Sequence, residues 1–129
     1  MMMGFVLCFV GAGIGGALRH GMNIAVARQM GTYFPWHTFT INILGSTVMG
    51  LVAGWFAGRG GMEGDLALFL ASGILGGFTT FSAFSLDAAL LVERHAFGMA
   101  AGYMVGSVAA SLSALFFGLA IFRSAGHLP

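Results

Sequence analysis

The stretch Gly76-Gly77-Phe78-Thr79-Thr80-Phe81-Ser82-Ala83-Phe84-Ser85 places two glycines, two threonines and three phenyl rings inside an apolar segment. Adjacent glycines followed by β-branched residues make a poor helix interior. Unwinding there exposes backbone carbonyls, and half-helix ends of that kind are natural cation ligands. Phe81 and Phe84 are three apart and share one helix face, Phe78 extends the stripe backwards, and Ser82 and Ser85 form a neighbouring hydroxyl stripe. Two further apolar segments carry polar residues at helical spacing: Asn42 with Ser46, and Tyr103 with Ser107 and Ser111. A buried polar group without a partner costs about 1–3 kcal/mol. Three segments that each present a polar stripe therefore point to one shared polar path. Its donors are hydroxyls and one carboxamide, and no acid lines its middle, so a cation route lacks its usual carboxylate ring. A phenyl ring is negative on its face and positive at its edge. Ring edges combined with O–H and N–H donors favour a small anion, and the identity of that ion stays open at this point.

The other motifs carry less. Gly11-Ala12-Gly13-Ile14-Gly15-Gly16 fits G-x-G-x-x-G, but a dinucleotide site needs a βαβ unit and an acid about 20 residues later, and the first acid in the chain is Glu63. His20, His37, His95 and His127 fall near the ends of the apolar segments and form no i, i+4 pair, which argues for interfacial placement over a metal site or a Ser-His catalytic pair. Asp87 is the only acid inside an apolar segment, near its end, where a structural or vestibule role suits it. The lone Cys8 excludes a disulfide framework.

The elements that must position these residues follow from composition. The chain has 129 residues, of which 58% are hydrophobic and 7% charged, and its mean hydropathy is +0.94. Globular domains carry roughly 25% charged residues, so a secreted enzyme, a cytosolic domain and a nucleic-acid binder are excluded and a membrane is the solvent. A net charge of +1, without a lysine, leaves no footprint for nucleic acid. A spanning helix needs about 20 apolar residues, and four segments qualify: 1–18, ending at Arg19-His20, then 36–58, 66–92 and 96–122. The predicted fold is thus an all-α membrane protein, residues 1–129 forming one domain of four transmembrane helices, the third broken at its centre. The connectors, 26–35, 58–65 and 93–96, are short, so neighbouring spans are expected to be antiparallel. The first segment lacks the basic start of a cleaved signal peptide. The segments are too long and continuously apolar for β-barrel strands.

Glycines recur every four residues at Gly11 and Gly15, at Gly50, Gly54 and Gly58, and at Gly98, Gly102 and Gly106, a spacing that lets helices approach closely in lipid. Arg59 and Arg123 fall on one predicted side, and Arg28, Arg94 and Arg19 on the other. That near-balance gives the positive-inside rule almost nothing to act on, and it leads to the expectation of a dual-topology protein pairing as an antiparallel homodimer.

The sequence GGFTTFSAFS at 76–85 resembles the signature of the small fluoride channels, the Fluc or CrcB family. TFTINILGSTVMG at 38–50 and GGALRH at 15–20 resemble that family as well, and the likeness extends over the whole chain in length, span count and motif order. The resemblance implies an antiparallel dual-topology homodimer with two pores in the bacterial inner membrane, a channel and not an enzyme, which exports fluoride from the cytoplasm by passive electrodiffusion. It implies that Phe81 and Phe84 turn their edges to fluoride, and that Asn42 helps hold them and donates to the ion. Tyr103, Ser107 and Ser111 match the polar track of the fourth helix, and Ser82 the nearby hydroxyl of the third. The backbone carbonyls of Gly76 and Thr79 match those that bind a central structural sodium ion, which is not transported. Arg19 resembles the vestibule arginine that draws anions in. There are departures: His37 stands where glycine is common, Asp87 where some relatives have glutamate, and Phe78 is at a variable position and is assigned no ion contact.

Two other readings are weighed. A small multidrug-type proton-coupled exporter, also four-span and dual-topology, needs an acid in its first helix, and residues 1–18 have none. A non-transporting membrane assembly protein or an intramembrane enzyme would show no ion-selective flux.

Overall fold

The computed structural model describes residues 1–124, all helical apart from turns and short connectors. His127, one of the four histidines expected near segment ends, lies outside them. In order come α1 (Met2–Met30), α2 (Trp36–Ala57), α3 (Asp65–Ala67), a π-helical stretch (Leu68–Leu75), α4 (Gly76–Phe78), α5 (Phe81–Glu93) and α6 (Phe97–Ser124). Four runs are long and apolar enough to cross a membrane: α1, α2, the composite run Asp65–Glu93, and α6 through Arg123.

The first span is longer than its apolar segment. Arg19-His20 ends the run of hydrophobic residues, yet the helix continues to Met30. Charge interrupts apolarity without interrupting helicity, because Met22, Ala25, Ala27, Arg28 and Gln29 accept helical geometry well. The stop is made by Gly31, whose φ of 75° is natural for glycine, and by Pro35 just before α2. The expected 26–35 connector is therefore only 31–35, and Arg19 sits well inside a helix about 43 Å long.

The direction of each span can be read from close approaches. A Cβ placed on Gly11 would come within 2.8 Å of Gly73 Cα, one on Gly77 within 2.8 Å of Ala12 Cα, and Gly15 abuts the Ile74 carbonyl. Gly50 abuts the Leu115 carbonyl, and Gly54 faces Phe122. Contact positions rise together in both pairs, so the first and third spans run parallel, as do the second and fourth. The pairing of α5 with α6 has the opposite sense: Phe84 stacks on Tyr103, while Leu91 packs with Ala100.

Lipid offers no hydrophobic drive for helix association, so these backbone-to-backbone contacts supply dispersion directly. Gly50→Ala is expected to push α2 off α6 and to lower the thermal unfolding midpoint in detergent. Gly21→Ala, with nothing within 4 Å of the added methyl, is expected to leave the midpoint level or raise it. Equal midpoints for both variants would contradict this packing account.

Candidate functional site

Midway along the third span the backbone leaves helical geometry. Thr79 is extended at φ −79°, ψ 160°, and Thr80 at φ −154°, ψ 119°. Helix ends leave carbonyls and N–H groups without partners, and named side chains take several of them up. The Thr79 N–H and hydroxyl both donate to the Leu75 carbonyl, at 3.0 and 2.9 Å. The Thr80 hydroxyl caps α5 by accepting from the Ala83 N–H at 3.1 Å. Asn42 of α2 supplies the rest. Its Nδ2 donates to the Thr80 carbonyl at 3.0 Å, and its Oδ1 accepts the Thr80 N–H at 2.9 Å. One carboxamide thus replaces both halves of a backbone pairing across two spans.

A cavity of about 290 Å³ adjoins this junction. Asn42, Ser46, Thr79, Thr80, Phe81, Phe84, Ser107 and Ser111 line it, together with Gly45, Met49, Val108 and Leu115. No carboxylate is on that lining. Phe81 and Phe84 lie with ring centroids 5.4 Å apart at 44°. Phe81 is 77% exposed in a single chain, so the cavity opens onto the subunit's outer face. The Ser107 hydroxyl is buried and has no hydrogen-bond partner among the described residues.

Not every expected residue meets this cavity. Tyr103, fully buried, packs its ring 5.2 Å from Phe84 and donates its hydroxyl to Asp87 Oδ2 at 3.2 Å. Ser82 is exposed and shares a 3.3 Å contact with the Thr80 hydroxyl. Ser85 turns back to the Phe81 carbonyl at 2.9 Å. The hydroxyls of Ser82 and Ser85 are therefore taken up at the start of α5, by the Thr80 hydroxyl and the Phe81 carbonyl. Gly76 is exposed and lines no described cavity.

Arg19 lines a second cavity of about 310 Å³ with His20, Asn23, His37 and Thr38, and Thr80 is common to both cavities. A third, of about 200 Å³, is lined by Tyr33, His37, Asp87 and Arg94 among others. Thr80 went unassigned in the sequence although a threonine three residues before Ala83, opening an apolar periodic run, is an N-cap signal.

Four apolar spans, three of which line a cavity that carries amide and hydroxyl groups but no carboxylate, define a polytopic membrane protein. Residues 6–119 match the family model described as CrcB-like protein, Camphor Resistance (CrcB). The chain is 57% identical over 122 residues to the "Fluoride-specific ion channel FluC" of Rhodopseudomonas palustris (strain BisB5), covering 95% of this chain and 98% of that protein. It is 58% identical over 125 residues to the protein of the same name from Methylobacterium nodulans, covering 97% of this chain and all of the relative (100%). "Fluoride-specific ion channel FluC 2" of Nitrobacter hamburgensis is 53% identical over 121 residues, with 94% of this chain and 98% of the relative covered. The chain belongs to the CrcB family, and it is a multi-pass protein of the bacterial inner membrane.

Proposed function

We propose that this chain is a fluoride channel that lets the ion leave the cytoplasm passively. The observation that carries the reading is the gathering of Asn42, Phe81, Phe84, Ser107 and Ser111 from three spans around one cavity without a carboxylate. Fluoride is small and strongly hydrated, so a path for it must replace its water with aligned donors while holding it weakly enough to release it. The Ser107 hydroxyl, the Ser111 hydroxyl and the ring edges are suited to that, and the N-terminal end of α5 adds a positive dipole end. Asn42 commits its Oδ1 and one Nδ2 hydrogen to Thr80, which holds the junction open, and keeps its second Nδ2 hydrogen to donate to the ion. Ser82 and Tyr103 act beside the path, Ser82 by steadying Thr80 and Tyr103 by bracing Phe84. The names of the relatives support the choice of ion. Expression in a bacterium lacking fluoride export should restore growth in fluoride medium; no rescue by a membrane-inserted protein would contradict the reading.

The finer architecture belongs to the same proposal. Two copies pair antiparallel, and the partner closes the cavity that Phe81 leaves open. The exposure of Phe81 and the unpacked Gly98 and Gly102 of α6, with nothing within 4 Å, support such a surface. Adding two lysines to the 58–64 loop should lock the subunit into one orientation and abolish flux unless an oppositely biased copy is supplied. A wild-type chain found in one orientation only would contradict the pairing.

The carbonyls of Gly76 and Thr79 fit a structural sodium ion. The Thr80 N–H that would return to Gly76 goes to Asn42, and the Ala83 N–H that would return to Thr79 goes to Thr80 Oγ1, so both oxygens are left for another partner. A hard cation takes oxygen ligands of this kind. When bound it would neutralise the carbonyl ends of α4 and tie two subunits together. Exchanging sodium for N-methylglucamine is expected to weaken dimerisation, as read by size-exclusion chromatography in detergent; an unchanged dimer would contradict this assignment.

A further inference from the structure

The second cavity is lined by donors: the Arg19 guanidinium, the Asn23 amide, the Thr38 hydroxyl and the imidazoles of His20 and His37, with no carboxylate on its wall. His37 stands out within this set. It lines both this cavity and the third one, and its Nδ1 is buried with no hydrogen-bond partner among the described residues. His20 is exposed.

A neutral imidazole can leave one ring nitrogen as an idle acceptor. An imidazolium donates from both nitrogens, and an enclosed donor without an acceptor is costly. An anion in the cavity offsets that cost by placing a negative charge beside the imidazolium. The ionisable groups facing His37 are Arg19 and His20 from α1, Tyr33 from the connector before α2, Asp87 from α5 and Arg94 from the turn after it. The Asp87 carboxylate already accepts from the Tyr103 hydroxyl. An anion held beside both Arg19 and His37 cancels the repulsion between them. Proton uptake and anion uptake therefore each strengthen the other.

We propose that His37 is a second anion-recruiting group of the vestibule, beside Arg19, and that its protonation raises fluoride occupancy as the pH falls. The inference rests on the channel reading and adds to it a proton-linked entry step. Thr80 lines both this cavity and the one bearing Phe81 and Phe84, so an ion captured here is held next to the path. The effect is on occupancy, so it should appear at low fluoride, vanish at saturating fluoride and weaken in high salt.

The test is fluoride efflux from vesicles containing the full-length chain, between about pH 8 and about pH 6, the range in which imidazole ordinarily titrates. Protein-free vesicles correct for leakage of hydrogen fluoride through lipid. Wild-type flux at low fluoride should rise roughly threefold to tenfold on acidification. His37→Gln, and His37→Gly should glutamine disturb folding, should flatten the profile, while His95→Gln should keep it. A flat wild-type profile, a rise that survives in both His37 variants, or a rise lost only in His20→Gln would overturn the proposal. Wild-type vesicles that pass no fluoride at any pH would instead overturn the channel reading, and this inference with it.

Discussion

Phe84→Ile and Phe81→Ile should each reduce fluoride flux by at least about tenfold, corresponding to roughly 1.4 kcal/mol added to the rate-limiting barrier. Isoleucine keeps apolar bulk but has no electropositive ring edge, so the variant removes the electrostatic feature and leaves most of the volume. The two rings sit 5.4 Å apart on the cavity wall, and Phe84 is braced by Tyr103 at 5.2 Å. Phe84→Ile is expected to act by losing the edge. Phe81 is 77% exposed in the single chain, and under the proposed pairing the partner covers it. The measurement is initial efflux from proteoliposomes, with gel filtration showing that oligomeric state is retained. Flux within twofold of wild type in both variants would remove the phenylalanines from the path.

Asn42→Ala should have the larger effect on stability. It would strand the N–H and C=O of Thr80, each at a cost of about 1–3 kcal/mol in a site that water reaches poorly. Helical geometry would resume across Thr80 only at the loss of its cap on the Ala83 N–H. The expected result is a lowered unfolding midpoint in detergent together with lost flux. Asn42→Asp separates the two effects. It retains an acceptor for the Thr80 N–H, but it sets a carboxylate against the Thr80 carbonyl and beside the anion's path. Flux should fall below detection even if the protein is recovered folded. Wild-type flux in Asn42→Asp would show that no anion passes this junction.

Much of this was legible in the residues. Apolar length located the spans, because lipid demands it, and α2 and α6 begin and end within two residues of the segments 36–58 and 96–122. The far end of α1 was not legible, because Arg19-His20 marks where apolarity stops while helicity is ended by Gly31. The π-helical stretch Leu68–Leu75 was invisible as well, since Leu-Phe-Leu-Ala-Ser-Gly-Ile-Leu reads equally well as α-helix, and the wider turn depends on packing against α1. At the site, three-residue and four-residue spacing grouped Phe81 with Phe84 and Ser107 with Ser111, and all four line one cavity. The same spacing grouped Ser82 with Ser85, which are not on that lining: Ser82 meets the Thr80 hydroxyl and Ser85 donates to the Phe81 carbonyl, local partners that periodicity does not register. Tyr103 shares the face of Ser107, but its length carries the hydroxyl past the cavity to Asp87. The part played by His37 depends on which residues enclose it, which spacing along one helix cannot reveal.

The central claim is that the cavity joining Asn42, Phe81, Phe84, Ser107 and Ser111 conducts fluoride and excludes larger halides. Purified protein should be reconstituted into liposomes loaded with equal fluoride and chloride, valinomycin added to carry the balancing potassium, and both anions followed with selective electrodes. The account predicts rapid release of fluoride, chloride retained at the level of protein-free vesicles, and loss of the fluoride signal in Phe84→Ile. Release of both anions at similar rates, or of neither, would contradict it.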